Sequence, residues 1–440
     1  MNRYYIIFLF LISACSFDTR SGIWTEKNIL TKNENISILF EEKQIKHKEF
    51  NSNLEIVLPE LQKVSYEKNN LTNNNGINHN INKINTISKF KFSKIKDFEY
   101  FEPELIIDES GFTFFDDKGN IIKFDKNTEI SWKSNVYNKA EKKLKPKITL
   151  FHDKKQLIAF DNISKFYSLN FNTGEILWIK NVKNPINSQV KIHKNKIFMV
   201  DLNNVLICFS LESGDELWRF GSGNNILKSN KRNSIVVKDN VVYFNNSLGD
   251  ISAVNIDDGT LVWQIPTQSS RILENAFSLV NSDLVIGENE LIFSNNRNQF
   301  FSLDLENGQK KWTQNISSVV RPVIIKNLIF TVSDDGYFFV IERNSGNIVR
   351  ITKILDQNKD IIKNIPFVTK RRSIKNVPVG ILIGKEISFL TSNDGRLYTI
   401  NTITGQIKSA TKIDGSKISR PFVYKDSLYV VKDNSIIKLN

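Results

Sequence analysis

A polar residue, a glycine, three further residues and a tryptophan recur four times: Thr173-Gly174 to Trp178, Ser213-Gly214 to Trp218, Asp258-Gly259 to Trp263 and Asn307-Gly308 to Trp312. Each copy follows an apolar, strand-like run: Phe166-Tyr167-Ser168-Leu169, Leu206-Ile207-Cys208-Phe209, Ile251-Ser252-Ala253-Val254 and Phe300-Phe301-Ser302-Leu303. Weaker copies flank these four. Asn127-Thr128 to Trp132 lacks the glycine; Ser345-Gly346 to Arg350 and Thr404-Gly405 to Ser409 lack the tryptophan. The anchors at 128, 174, 214, 259, 308, 346 and 405 lie 46, 40, 45, 49, 38 and 59 residues apart. Spacings of about 40–50 residues, with several strands per unit, predict a β-propeller. Its blades cannot bury their faces singly, so 440 residues need not mean several domains.

The repeated phrase has structural reasons. Gly174, Gly214, Gly259 and Gly308 permit a left-handed backbone at the turn before an outer strand. Trp132, Trp178, Trp218, Trp263 and Trp312 then offer a large apolar ring and one N–H with which to dock on the next blade, and are expected to be largely buried. One well-formed unit runs from Arg321-Pro322-Val323 through Leu328 to Val332 and Tyr337 to Ile341, and ends with Ile348 to Ile351. The final unit starts at Arg420-Pro421-Phe422 and ends at Ile436 to Leu439 without an outermost strand. An unpaired edge there is an aggregation hazard, and Ile87 to Phe92 is a suitable closing strand. Seven full repeats plus this composite predict an all-β fold over residues 87–440: an eight-bladed β-propeller of four-stranded antiparallel blades.

The N-terminus follows other rules. Arg3, the short apolar run Tyr4 to Leu11 and the small residues Ser13-Ala14 read as a signal peptide over residues 1–14. The run is too short to span a bilayer, which takes about 20 apolar residues. Cys15 directly after Ala14 resembles a bacterial lipobox, which makes Cys15 the expected lipidation site, and Ser16 rather than Asp after it suits the outer membrane. Residues 15–86 are rich in Asn, Lys and Glu and read as a partly disordered tether that adds no blade. Its apolar islands, Ile36 to Phe40 and Leu54 to Leu61, are candidates to dock on the ring.

Other chemistry finds little support. The formal charge is +13, but lysine is spread through an Asn- and Ile-rich chain, and the runs at Lys142 and Lys370-Arg371-Arg372 are short. Solvated faces or acidic partners are favoured over nucleic acid. Cys208, the single internal cysteine, lies in a strand-like run as a buried apolar residue. His47, His79, His152 and His193 have no metal-site spacing, and no G-x-S-x-G or P-loop occurs. No catalytic residue, metal or cofactor is expected. Asp334-Asp335-Gly336 and Asp257-Asp258-Gly259 sit where turn chemistry calls for Asp-Gly.

The glycine–tryptophan phrase resembles the docking motif of the pyrroloquinoline quinone (PQQ) dehydrogenase propellers, over residues 87 to 440. With the lipobox, the repeat number and the chain length, it is similar to one branch, the BamB family of outer-membrane assembly lipoproteins. That resemblance implies a non-enzymatic scaffold on the periplasmic face of the outer membrane, held there by its lipid and bound to the periplasmic domains of a BamA-like β-barrel insertase. Nascent outer-membrane proteins are a further implied partner. The matching contact positions are Ile226, Leu227 and Lys228 in one loop and Leu279 and Asn281 in the next, the latter two replacing residues that are often acidic in the family. The rivals are a PQQ-dependent quinoprotein dehydrogenase, against which the lack of a Cys-Cys pair counts, and a periplasmic glycan-binding propeller, for which no aromatic cluster outside the docking positions speaks.

Overall fold

The structure is a computed structural model. It describes residues 25–28, 56–58, 71–78, 84, 86–92, 94–95, 98, 105–153, 155–221, 231–267, 279–356, 358–365, 368–424 and 427–440. These form eight blades of antiparallel strands, which in blades 1 to 7 run in sequence order from the axis outward. Blade 1 comprises Ile106–Asp108, Gly111–Phe115, Ile121–Asp125 and Ile130–Ser134. Blades 2 to 7 begin at Ile148, Lys191, Ile235, Val285, Val323 and Pro378 and end at Asn181, Gly221, Ile265, Gln314, Lys353 and Lys412.

Blade 8 closes the ring as the sequence predicts. Phe422–Tyr424, Ser427–Lys432 and Ser435–Leu439 are completed by Thr86–Lys91, with Ile87 opposite Leu439 and Phe90 opposite Ile436. A fifth strand, Thr25–Asn28, pairs on the outer side of Thr86–Lys91, so the extension contributes to the sheet after all.

The core is a circle of layers between neighbouring blades rather than one central mass. Phe160, Phe166, Ile197 and Met199 fill the space between blades 2 and 3. Phe198, Val200, Val242 and Val254 do so between 3 and 4, and the pattern continues to Phe389, Leu397, Val430 and Ile437 between 7 and 8. Inner and middle strands are covered on both faces and lack alternation, as in Leu157–Phe160 and Phe166–Leu169, whereas the outer strand Ile176–Asn181 alternates between half-buried and exposed.

The spacing of 59 residues between Gly346 and Gly405 has a cause the sequence reading missed. A separate two-stranded hairpin, Asn358–Ile365 with Val368–Lys375, stands between the outer strand of blade 6 and the inner strand of blade 7. It carries six Lys or Arg residues and one acid, Asp360.

Candidate functional site

The docking motif is built across every junction from blade 1 to blade 6. Trp132, Trp178, Trp218, Trp263 and Trp312 donate from Nε1 to the carbonyls of Phe171, Leu211, Ile256, Leu305 and Arg343 in the next blade, at 2.8–3.3 Å. Each ring also lies against that blade's turn glycine. A Cβ on Gly174, Gly214, Gly259, Gly308 or Gly346 would fall 2.6–2.7 Å from the tryptophan of the preceding blade. With φ between +71° and +76°, these positions exclude side chains twice over. Thr128 takes the same left-handed backbone (φ 69°) in blade 1. Its neighbour, blade 8, carries no tryptophan in Thr86–Lys91 to stand over it.

A β-bulge aims each ring. The register shifts between Ser168 and Leu169, Cys208 and Phe209, Ala253 and Val254, and Ser302 and Leu303, leaving the residue before each tryptophan unpaired. The expected deep burial holds for Trp132 and Trp263, each 8% exposed, but Trp178, Trp218 and Trp312 are only half-buried. Their strands form the rim of the ring, where one face is open to solvent.

The connections from each outer strand to the next inner strand share one face, and the residues just ahead of the inner strands meet there at the axis. Asp283, Arg321 and Arg420 each stand two positions before an inner strand, in blades 5, 6 and 8. Both arginines reach Asp283 Oδ2, Arg321 Nη2 at 2.7 Å and Arg420 Nη1 at 2.8 Å. Lys231 Nζ, ahead of blade 4, donates to the carbonyls of Asn281 and Val319. Burial of Asp283 opposes its ionisation, yet Arg321, Arg420 and Lys231 outweigh this and hold its carboxyl well below the usual range. A cavity of about 30 Å³ lies among these side chains and Asn75, room for one small polar group or two waters.

Ile226, Leu227 and Lys228 lie outside the described residues, as do Cys15 and the signal segment. Leu279 and Asn281 are described and are 4% and 7% exposed. Leu279 Cδ2 and Asn281 Nδ2 pack under the turn at Gly249, and Asn281 forms an isolated bridge with Asn295. They hold the base of their loop.

The acidic turns are occupied by bonds within the fold. Asp334 accepts from Ser317 Oγ and Val319 N, and Gly336 has φ 87°. Asp258 accepts from Thr260 N, and Asp257 pairs with Lys196 at 2.6 Å. Cys208 is fully buried, and that burial pushes its thiol up to about 12.

Three comparisons bear on this architecture. Over 368 residues the chain is 20% identical to an uncharacterised protein of Rickettsia conorii, covering 78% of this chain and 83% of that protein. In fold it is similar to BamB from Moraxella catarrhalis, with a TM-score of 0.62, 15% identity and coverage of 80% of this chain and 99% of the other. It is also similar to the computationally designed Ika8 protein, with a TM-score of 0.57, 12% identity and coverage of 79% and 99%. Residues 117–352, more than half of the chain, match the family described as outer membrane protein assembly factor BamB, and on that match the chain belongs to the BamB family.

Proposed function

We propose that this protein is a non-enzymatic scaffold lipoprotein of the machinery that assembles outer-membrane β-barrels. It is anchored through Cys15 in the outer membrane, faces the periplasm, binds the periplasmic domains of a BamA-like insertase and aids the insertion of nascent barrels. The match of residues 117–352 to the BamB family carries this reading. Two observations agree with it: the repeated motif is committed to blade packing, and the acidic turns are engaged within the fold, Asp258 by the N–H of Thr260 and Asp334 by the N–H of Val319. The contact surface on this reading is the face of the outer-to-inner connections, with Ile226, Leu227 and Lys228 as its touching residues and Leu279 and Asn281 as supports beneath.

The test is affinity capture of the tagged, full-length lipoprotein from detergent-solubilised envelopes. Recovery of a β-barrel insertase is expected, reduced at least tenfold by Leu227→Ala with Lys228→Glu in a folded chain. Capture without insertase, together with PQQ-dependent dye reduction, would move the protein to the dehydrogenases.

A further inference from the structure

Leu71 to Asn78 belongs to the extension, yet its eight residues reach the inner strands of five consecutive blades. Asn73 Nδ2 donates to Gln189 Oε1 beside blade 3 (2.9 Å) and to the carbonyl of Leu284 beside blade 5 (2.9 Å). Ser234 Oγ and the carbonyl of Ile235, both at blade 4, lie at 3.2 and 3.3 Å from the same nitrogen. Asn73 Oδ1 accepts from Lys191 Nζ of blade 3 at 2.7 Å. Asn74 pairs with the backbone of Ile324 in blade 6, its Nδ2 donating to the carbonyl and its Oδ1 accepting from the N–H, each at 3.0 Å. Ile77–Asn78 then runs parallel to the inner strand of blade 7, opposite Ile383 and Gly384. A short segment can touch five blades only on the axis of the ring.

The site is built for an asparagine amide. Asn73 is 2% exposed, and around it Gln189, Lys191 and Ser234 are 4%, 2% and 1% exposed. A lysine ammonium only donates and a peptide carbonyl only accepts, so Lys191 and Leu284 fix which end of the amide faces which partner. An aspartate lacks the donor and a leucine lacks both functions. Either substitution leaves buried polar groups unpaired, which costs more than the bond itself contributes. Asn73 also holds φ at 59°, a left-handed conformation that asparagine tolerates better than most residues.

We propose that the axis of this propeller is a peptide-recognition site selective for a segment bearing consecutive asparagines, and that Leu71–Asn78 is its resident ligand, held without need of its covalent links on either side. This stands on the axial geometry alone and is independent of the insertase reading. The polar complementarity of Gln189, Lys191, Ser234 and the Ile324 backbone supplies the selectivity. The channel thereby ties the extension to five blades at once.

The test uses the full-length chain with specific-protease sites placed within 60–66 and 79–83. After cleavage the excised segment should remain with the ring through gel filtration. It should exchange with an isotopically labelled peptide of residues 68–80. The same peptide carrying Asn73→Leu and Asn74→Leu should compete at least tenfold more weakly. In uncut chain, amide hydrogen exchange of 71–78 should be protected like that of Ile235–Lys238, and N73L/N74L should abolish the first protection and leave the second. Prompt loss of the excised segment from an intact ring, equal competition by the substituted peptide, or unprotected exchange of 71–78 in the uncut chain would each overturn the proposal.

Discussion

Arg350 donates from Nη1 to the carbonyl of Ile403 at 2.8 Å, across the junction between blades 6 and 7. It stands where the five junctions from blade 1 to blade 6 have tryptophan, and it keeps the indole's hydrogen bond without the indole's ring. In place of that ring, Thr352 packs against Gly405, where a Cβ would fall 2.5 Å from Thr352 Oγ1. Arg350→Ala should therefore cost about 1 kcal/mol, the scale of one hydrogen bond. Trp263→Ala removes a buried ring and should cost about 3–5 kcal/mol. Equilibrium urea unfolding of the two variants measures the contrast, and equal losses would contradict the ring's packing role.

Gly214→Ala is expected to destabilise out of proportion to one added methyl. The residue would keep φ near 71°, and its Cβ would meet the Trp178 ring at 2.7 Å. Left-handed strain alone costs about 1–3 kcal/mol. Gly221 and Gly415 have nothing within 4 Å of an added Cβ and no left-handed φ. Gly415→Ala therefore serves as the control and should shift the melting temperature little.

Deleting residues 433–440 removes the strand that joins Ser427–Lys432 to Thr86–Lys91. It takes away Ile436, Ile437 and Leu439, all essentially buried, and exposes two sheet edges. The expected outcome is a large drop in melting temperature with self-association in light scattering. A monomer that melts like the parent would mean the ring closes elsewhere.

The pH dependence of stability should carry the signature of Asp283. Its folded pKa lies below the unfolded value of about 3.9, so its ionised form favours the folded state. That contribution is complete above the unfolded value and is lost as pH falls through the lower, folded one. Asp283→Asn leaves Arg321 and Arg420 facing each other without the carboxylate and should cost about 3 kcal/mol at pH 7. Unfolding curves of parent and variant should converge only in strong acid. A constant difference down to pH 2 would assign the loss to packing instead.

Cys208 should be inert. A thiol raised to about 12 and wholly enclosed supplies almost no thiolate at neutral pH. In a Cys15→Ser chain, a thiol reagent should label nothing until denaturant is added, and labelling at the rate of a free thiol would show that blade 3 opens.

The ring was legible because its determinants are local and repeated. Glycine, tryptophan or both mark the outer turns of blades 1 to 7, and apolar runs broken by Asp-Gly or Asn-Gly turns mark the hairpins, so these blades and the closing strand follow from pattern alone. The axial segment was not legible. Leu71-Thr72-Asn73-Asn74-Asn75-Gly76 has neither apolar periodicity nor charge, and composition reads it as a tether. Its place is set by polar groups on Gln189, Lys191, Ser234 and Ile324, which meet only when the ring exists. Arg350 was read as a lost tryptophan because a donor held in common leaves no mark in a pattern of residue types. Leu279 and Asn281 drew notice through resemblance, and the turn at Gly249 that buries them is not adjacent in sequence.

Blade 8 also sets an order in time. Thr86–Lys91 comes before blade 1 in the chain, but its inner partner, Ser435–Leu439, comes after blade 7. Until residue 435 has followed, Thr86–Lys91 lacks its inner mate. Thr25–Asn28, which pairs with its other edge, precedes it in the chain and is available from the start. Ring completion thus joins residues far apart in the chain, and a chain stalled or cut anywhere before residue 435 lacks the strand that closes the circle.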